Sequence, residues 1–131
     1  ITSDEVSKIE NYLDDELKLL FDATASYPPA RLVGSSGSFD TFRSLMSYAG
    51  DIPLTNNTYA EIPLDEYKKL HQTLLKSNRE ERISMRGMEL IRVDFIVVGS
   101  ILTSYIINRL GIKSIYQSSF ALKEGALIEL L

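Results

Sequence analysis

The spacing of apolar residues predicts a chain built mainly from amphipathic helices. Near the amino terminus Val6, Ile9 and Leu13 follow one another at steps of three and four, which places them on one helix face. Thr2 and Glu5 stand before this stripe at the spacing of a capping box, and two consecutive prolines end the helix at about residue 26. The same criterion predicts further helices over about 38–49, 65–76, 79–85, 89–110 and 120–131.

Two short runs predict strands instead. Leu32 and Val33 form an apolar run that stops at a glycine, and residues 113–118 have the character of a second short strand. The run from Phe95 to Val98 is rich in β-branched residues, so its periodicity fits either a strand or a helix. Residues 50–63 contain one glycine, two prolines and two asparagines and are predicted to form an ordered surface connection.

A glycine-rich loop joins the first strand to the next helix. It reads Gly34-Ser35-Ser36-Gly37-Ser38. The amides and hydroxyls of such a loop converge on one point, with the positive end of the helix dipole behind them, which favours an anion such as phosphate. A plain turn capped by Ser36 or Ser38 accounts for the same residues. The loop lacks the Gly-Lys-Ser/Thr ending of a Walker motif, so both interpretations stay open.

Composition narrows the classes of function. A chain of 131 residues with 24% charged residues fits one soluble globular domain over 1–131. A net charge of -4 supplies no general positive field, so nucleic acid is not expected as a partner. The absence of cysteine excludes disulfides and fits a cytoplasmic location. The uncharged run Phe95 to Ile107 is shorter than the roughly 20 residues that span a bilayer, so no membrane segment is expected.

Some residues invite a functional interpretation that a structural one outweighs. Asp14, Asp15 and Glu16 point in different directions on a helix and indicate a solvated face. His71 lies beside an apolar stripe without a second histidine and is expected to be half-exposed and structural. Gly125 costs its helix about 1 kcal/mol relative to alanine, which either a tight helix contact or a ligand wall would explain. Gly99 begins a small-residue face that another backbone could approach closely.

Three separated motifs resemble a known protein family. They are Gly34-Ser35-Ser36-Gly37-Ser38, then Glu81-Arg82 with Gly87 and Arg92-Val93-Asp94, then Ser118 with Ala121-Leu122-Lys123-Glu124-Gly125. In order and spacing they are similar to the carboxy-terminal part of the exopolyphosphatase and guanosine pentaphosphate phosphohydrolase family (Ppx/GppA), in the actin-like sugar kinase superfamily. Serines replace the family's loop threonines, Val93 replaces alanine, and Lys123 replaces an arginine and loses its bidentate fork.

The resemblance implies a fragment of an actin-like (ribonuclease H-like) lobe of the α/β class, mostly helical with a short parallel sheet. The phosphate- or substrate-binding residues that it implies are Gly34, Ser35, Ser36, Gly37, Ser38, Arg92 and Arg82, and the cleft-lining helix would carry Lys123, Glu124 and Gly125. The structural alternative for both arginines is an ion pair at a helix end with Asp94, Glu81 or Glu89. Two strands do not form a stable sheet alone, so further strands are expected upstream of Ile1 or from another chain.

The function that the resemblance implies is release of terminal phosphate from inorganic polyphosphate or a guanosine penta- or tetraphosphate, with magnesium offsetting phosphate charge. No catalytic residue and no metal ligand is assigned within 1–131, because the family's Asp-x-Gly-Gly-Gly-Ser loop and amino-terminal lobe are absent. Glu80, Glu81 and Glu124 are expected to be structural. The chain starts at Ile1 without methionine or a signal-like segment, which suggests a piece of a longer protein, inactive alone.

The partners implied are the missing amino-terminal lobe of the same chain and polyphosphate or a guanine nucleotide, with a second copy in a homodimer as a further option. The alternative hypothesis is a non-catalytic actin-like module that binds a nucleotide or another protein. An exposed sheet edge able to pair with another chain would favour it.

Overall fold

The computed structural model describes residues 1–53, 55 and 57–130. Its helices are α1 (Ser3–Glu16), α2 (Lys18–Thr24), α3 (Ser38–Ala49), α4 (Leu64–Lys76), α5 (Arg79–Ser84), α6 (Ile96–Leu110) and α7 (Leu122–Glu129), with a 3₁₀ turn at Leu90–Arg92. Its strands are β1 (Arg31–Ser35), β2 (Tyr59–Ile62) and β3 (Ser114–Ser118). The domain is therefore mostly helical with a small sheet, as the sequence predicts.

The three strands form one mixed sheet in the order β1-β3-β2. β1 and β3 are parallel, as expected, whereas β2 runs antiparallel to β3. The prediction that 50–63 is a surface connection is therefore wrong for Tyr59–Ile62, and the chain itself supplies a third strand. The expectation of further strands upstream of Ile1 or from another chain stays a prediction. β2 has four residues that alternate between exposed and inward positions, and Pro63 follows it directly, so its strand signal is short.

The register of the sheet brings two loops together. Ser35 at the end of β1 pairs with Ser118 at the end of β3. Because the two strands are parallel, the glycine loop and the loop into α7 both leave from the same edge. This edge is where a ligand of an α/β sheet is normally found.

The core lies between the inner face of the sheet and the helices α3, α4 and α6. Phe42, Tyr67, Ile101 and Ile115 are almost completely buried there, and the Tyr67 hydroxyl donates to the carbonyl of Ser100 at 2.8 Å. Burial raises the pKa of Tyr67, which therefore stays a neutral donor. These contacts fix α3 and α6 relative to the sheet edge.

The outer face of the sheet is open. Val33 is 62% exposed and Tyr59 is 67% exposed, and Tyr116, which pairs with Val33, lines the same surface pocket. The outer edge of β1 pairs with no strand in the part of the chain that the structure describes. Both features are those of a sheet that more protein covers.

Several helix boundaries differ from the predictions. The first helix divides at Leu17, whose φ of -97° and ψ of 7° interrupt it, and no residue of α2 is buried. Phe95 is the N-cap residue of α6, and the next three residues of the ambiguous run 95–98 lie in the helix, so this run does not form a strand. α7 begins after Ala121, and the Ser118 hydroxyl accepts from the Phe120 amide instead of capping a helix. The predicted end of this helix at Leu131 lies outside the described residues.

The described residues include no helix with both the length and the hydropathy required to cross a bilayer. α6 is the most apolar helix and has 15 residues. Two apolar residues of α6, Val98 and Leu102, are exposed, yet its other side packs against α4 and α1. It is a core helix of this domain.

Candidate phosphate site

The glycine loop adopts a conformation that its glycines make possible. Gly37 has φ 58° and ψ -122°, which L-amino acids avoid, and Ser36 has φ 61°. A Cβ added to Gly34 would lie 2.0 Å from the ring of Phe39. The loop therefore turns sharply and brings α3 against the end of β1.

The turn leaves the first amides of α3 open. Gly37 is the N-cap residue and no side chain caps the helix, so neither Ser36 nor Ser38 serves as the expected cap. No acceptor among the described residues receives an amide hydrogen from Gly37, Ser38 or Phe39. Three converging donors at the positive end of a helix form a ready place for an anion.

Arg92 lies over this opening. A Cβ added to Gly37 would be 3.7 Å from both terminal nitrogens of the Arg92 guanidinium. The Nε atom of Arg92 is buried without a hydrogen-bond partner, and within residues 1–53, 55 and 57–130 the side chain makes no ion pair. The ion pair of Arg92 with Asp94 that was the structural alternative is absent there, because Asp94 binds Arg79 at 2.8 Å.

Arg82 lies in a different environment. Its Nε donates to the carbonyl of Val93 at 2.9 Å, and its Nη1 donates to the carbonyl of Ser77 at 2.7 Å. The structure thus gives Arg82 a structural role, through backbone carbonyls instead of the expected carboxylates. It fastens α5 to the segment that carries Arg92 and is not directed into the loop.

Gly99 of α6 closes one side of the site. A Cβ there would lie 2.5 Å from the Ser38 hydroxyl oxygen. The close neighbour of this small-residue face is therefore the Ser38 side chain, and not the backbone that the sequence suggests. The contact places the start of α6 beside the first turn of α3.

The final helix does not border the loop through Gly125. A Cβ on Gly125 would meet no described atom within 4 Å, so the tight helix contact is not found there. The other interpretation, that Gly125 lines a ligand cleft, stays a prediction. Glu124 accepts from the Ala121 amide at 2.8 Å, and this bond lowers its pKa. Lys123 lies 3.4 Å from Glu124 on the exposed surface. The segment before α7 approaches α3, since Ser119 and Asp40 line one pocket of about 220 Å³.

Sequence reasoning overlooked a polar cluster beneath the loop. Gln117 of β3 is 2% exposed, accepts from Arg43 Nη1 at 2.6 Å, and donates to Asp40 Oδ1 at 2.7 Å. Arg43 also donates to the carbonyls of Thr55 and Asn57. A glutamine in a strand next to Ile115 and Tyr116 was the available signal, because a buried amide needs partners.

The acidic residues form no catalytic constellation of their own. Among the described residues no group of three or more Asp, Glu or His side chains is placed to hold a metal ion. Glu81 accepts from the Asn78 amide as part of a capping box, the structural role that was expected. His71 faces Ser100 at 3.1 Å, and burial lowers its pKa.

The fold and this loop define a class: an α/β domain with a glycine turn and open helix amides at the carboxyl edge of its sheet. The model of the Ppx/GppA phosphatase family matches residues 1–131, so the chain belongs to that family. Comparison with curated protein sequences finds no significant match.

Solved structures agree with the family. The chain is similar to an exopolyphosphatase from Cytophaga hutchinsonii, with 28% identity and a TM-score of 0.92 over 99% of this chain. It is also similar in fold to the Ppx/GppA family member of Aquifex aeolicus, with 22% identity and a TM-score of 0.78 over 98% of this chain. The chain spans 42% and 40% of these two proteins. The actin-like fold expected from the motifs is thereby confirmed.

Proposed function

We propose that this chain forms the phosphate-binding wall of a phosphohydrolase that releases terminal phosphate from inorganic polyphosphate or from guanosine penta- or tetraphosphate. The amides of Gly37, Ser38 and Phe39 would bind one phosphate group. The Arg92 guanidinium would lie on the other side of the same group. Ser35 and Ser36 would shape the turn and supply hydroxyls.

One observation carries this proposal: the Arg92 guanidinium lies close to Gly37, the N-cap residue of α3. Arg92 and the dipole of α3 are both positive, so their approach at Gly37 is unfavourable by itself. The buried Nε of Arg92 and the open amides of α3 each lack an acceptor among the described residues. A phosphate oxygen supplies that acceptor and neutralises both charges.

The chemistry of hydrolysis must use groups from outside this chain. The Asp40 carboxylate, in the first turn of α3, is engaged by the Gln117 side chain and is not assigned as a base. They do not form a magnesium site, so a magnesium ion would take its ligands from phosphate oxygens and from another part of the protein. The similar proteins of known structure are more than twice as long as this chain, so they contain a further part that this chain does not cover.

The proposal is tested with the full-length protein that carries this chain. Phosphate release is measured from polyphosphate and from guanosine pentaphosphate, with and without magnesium. Arg92→Met is expected to raise KM for each substrate at least tenfold. Arg86→Met is the matched control, because Arg86 is exposed and stacks over Tyr48 at 5.3 Å instead of facing the loop. Release from neither substrate, or equal effects of the two arginine variants, would contradict the proposal.

A non-catalytic binding module is the second candidate function, and the open sheet supports it. Val33, Tyr59, Tyr116 and Phe120 surround a shallow apolar pocket on the outer face of the sheet, beside the unpaired edge of β1. Such a surface suits another polypeptide. If the full-length protein binds a partner in a phosphate-dependent way but releases no phosphate from either substrate, this candidate is favoured over the enzyme.

A further inference from the structure

Three helices of this chain close their own first turn with an acidic side chain. In each the third residue of the helix is a glutamate whose carboxylate accepts from the N-cap amide. The pairs are Glu5 with Thr2 at 2.7 Å, Glu81 with Asn78 at 2.8 Å and Glu124 with Ala121 at 2.8 Å. These carboxylates occupy the position in which an external anion would otherwise bind.

α3 carries an acidic residue at the same position but is not closed. Asp40 is its third residue, and no bond joins its carboxylate to the Gly37 amide. Instead, Oδ1 of Asp40 accepts from the Gln117 side chain at 2.7 Å. The carboxylate that would compete with a bound phosphate is therefore turned to the side of the helix.

Gln117 is itself fixed by its surroundings. It pairs with Gly34 on one side and Ala60 on the other, in the centre of the sheet, and its side chain is buried. Its Oε1 accepts from Arg43, which is anchored by two carbonyls before β2. With the oxygen held by a cation, the amide nitrogen must point toward Asp40, so the orientation of Gln117 is determined.

We propose that Gln117 is a positioning residue that keeps the anion site open by holding the Asp40 carboxylate away from the amides of α3. The inference rests on the proposed function, since it takes the open amides to be the phosphate site. Without Gln117 as donor, the Asp40 carboxylate turns back to the first turn and closes it, as glutamates close α1, α5 and α7. Phosphate then competes with a group of the protein itself.

The test uses substitutions that separate this role from simple stability. Gln117→Glu keeps an acceptor for Arg43 but removes the donor to Asp40. The double variant Gln117→Glu with Asp40→Asn restores a donor at position 40 and returns the net charge to its original value. Asp40→Glu supplies the longer side chain that caps the other helices, at a position where a folding defect is not expected. Gln72→Glu on the exposed side of α4 makes the same chemical change elsewhere.

Binding of inorganic tripolyphosphate to the full-length protein is measured by calorimetry, and hydrogen exchange of the Gly37 and Ser38 amides is measured without ligand. We expect Gln117→Glu and Asp40→Glu to weaken binding about tenfold and to slow exchange of these amides, the size expected for one helix cap with one charge. The double variant should bind within about threefold of the unaltered protein, and Gln72→Glu should change neither readout.

Each outcome bears on one claim. Unaltered binding in Gln117→Glu, or failure of the double variant to restore it, would overturn the positioning role. If the unaltered protein does not bind tripolyphosphate, the proposed function fails. The exchange of the Gly37 amide still decides whether Gln117 controls Asp40.

Discussion

The two arginines of the second motif should respond in opposite ways to the same substitution. Arg92 has no hydrogen-bond partner among the described residues and faces the positive end of α3, whereas Arg82 donates to two backbone carbonyls. Replacing each by methionine keeps most of the aliphatic stem and removes the charge. Without a phosphate ligand, Arg92→Met should stabilise the protein and Arg82→Met should destabilise it.

The magnitudes follow from these contacts. Removing a cation from a helix N-terminus is worth about 0.3–1 kcal/mol, and relieving a buried unpaired donor adds about 1–3 kcal/mol before the lost packing is subtracted. A net gain of about 1 kcal/mol is expected for Arg92→Met. Arg82→Met loses two charged hydrogen bonds and leaves the Ser77 and Val93 carbonyls without their donors, a cost of about 3 kcal/mol.

The assay is urea unfolding of the full-length protein, with and without tripolyphosphate. A ligand at 100 times its Kd stabilises a protein by about 2.7 kcal/mol, and Arg92→Met should lose most of this increment while Arg82→Met retains it. If Arg92→Met is less stable than the unaltered protein, or is stabilised by tripolyphosphate to the full extent, the proposal that Arg92 binds the anion is refuted.

Four further substitutions test the loop and the core. Gly37→Ala should cost about 1–3 kcal/mol of unfolding free energy through backbone strain alone, because its Cβ meets nothing nearer than 3.7 Å. Ser36→Gly should leave stability within about 1 kcal/mol. Chemical denaturation measures both free energies. Gly99→Ala should force the Ser38 hydroxyl to rotate and weaken tripolyphosphate binding, with a smaller effect on stability, as calorimetry would show. Burial lowers the pKa of His71, so the contribution of neutral His71 to stability is complete above the ordinary pKa of 6.5 and is lost as the pH falls through the lower pKa of the folded state. His71→Gln should flatten this part of a stability profile measured from pH 8 to about pH 5. An unchanged profile would contradict the assignment.

Local features of the fold were predictable, and long-range ones were not. The capping box of Thr2 with Glu5 depends on residues within one helical turn, and it is found. β2 was missed because four residues with two exposed positions form a strand only when β3 lies beside them. The partnership of Gln117 with Arg43 joins residues 74 apart in sequence, which no periodicity reveals.

The site followed the same division. The motifs placed Arg92 and the loop in one site, and the structure brings them together at Gly37. They also suggested Arg82 and Gly125, whose surroundings the sequence could not show. Arg82 reaches backbone carbonyls, and Gly125 faces open space among the described residues. A motif shows which residues occur together in a family, but only the folded structure shows what each of them contacts.

The glycine loop carries more backbone cost than a simple connection requires. Gly34 accommodates a ring, Gly37 accommodates a conformation closed to other residues, and Gly99 accommodates the Ser38 hydroxyl, so three glycines meet at one point for three different reasons. Ser36 adds a left-handed conformation of its own. A strand and a helix can be joined without any of these costs, and strained backbone persists where the surrounding structure enforces it, often at binding sites. Binding of an anion at this turn would explain both its strained backbone and the unpaired Nε of Arg92 beside it.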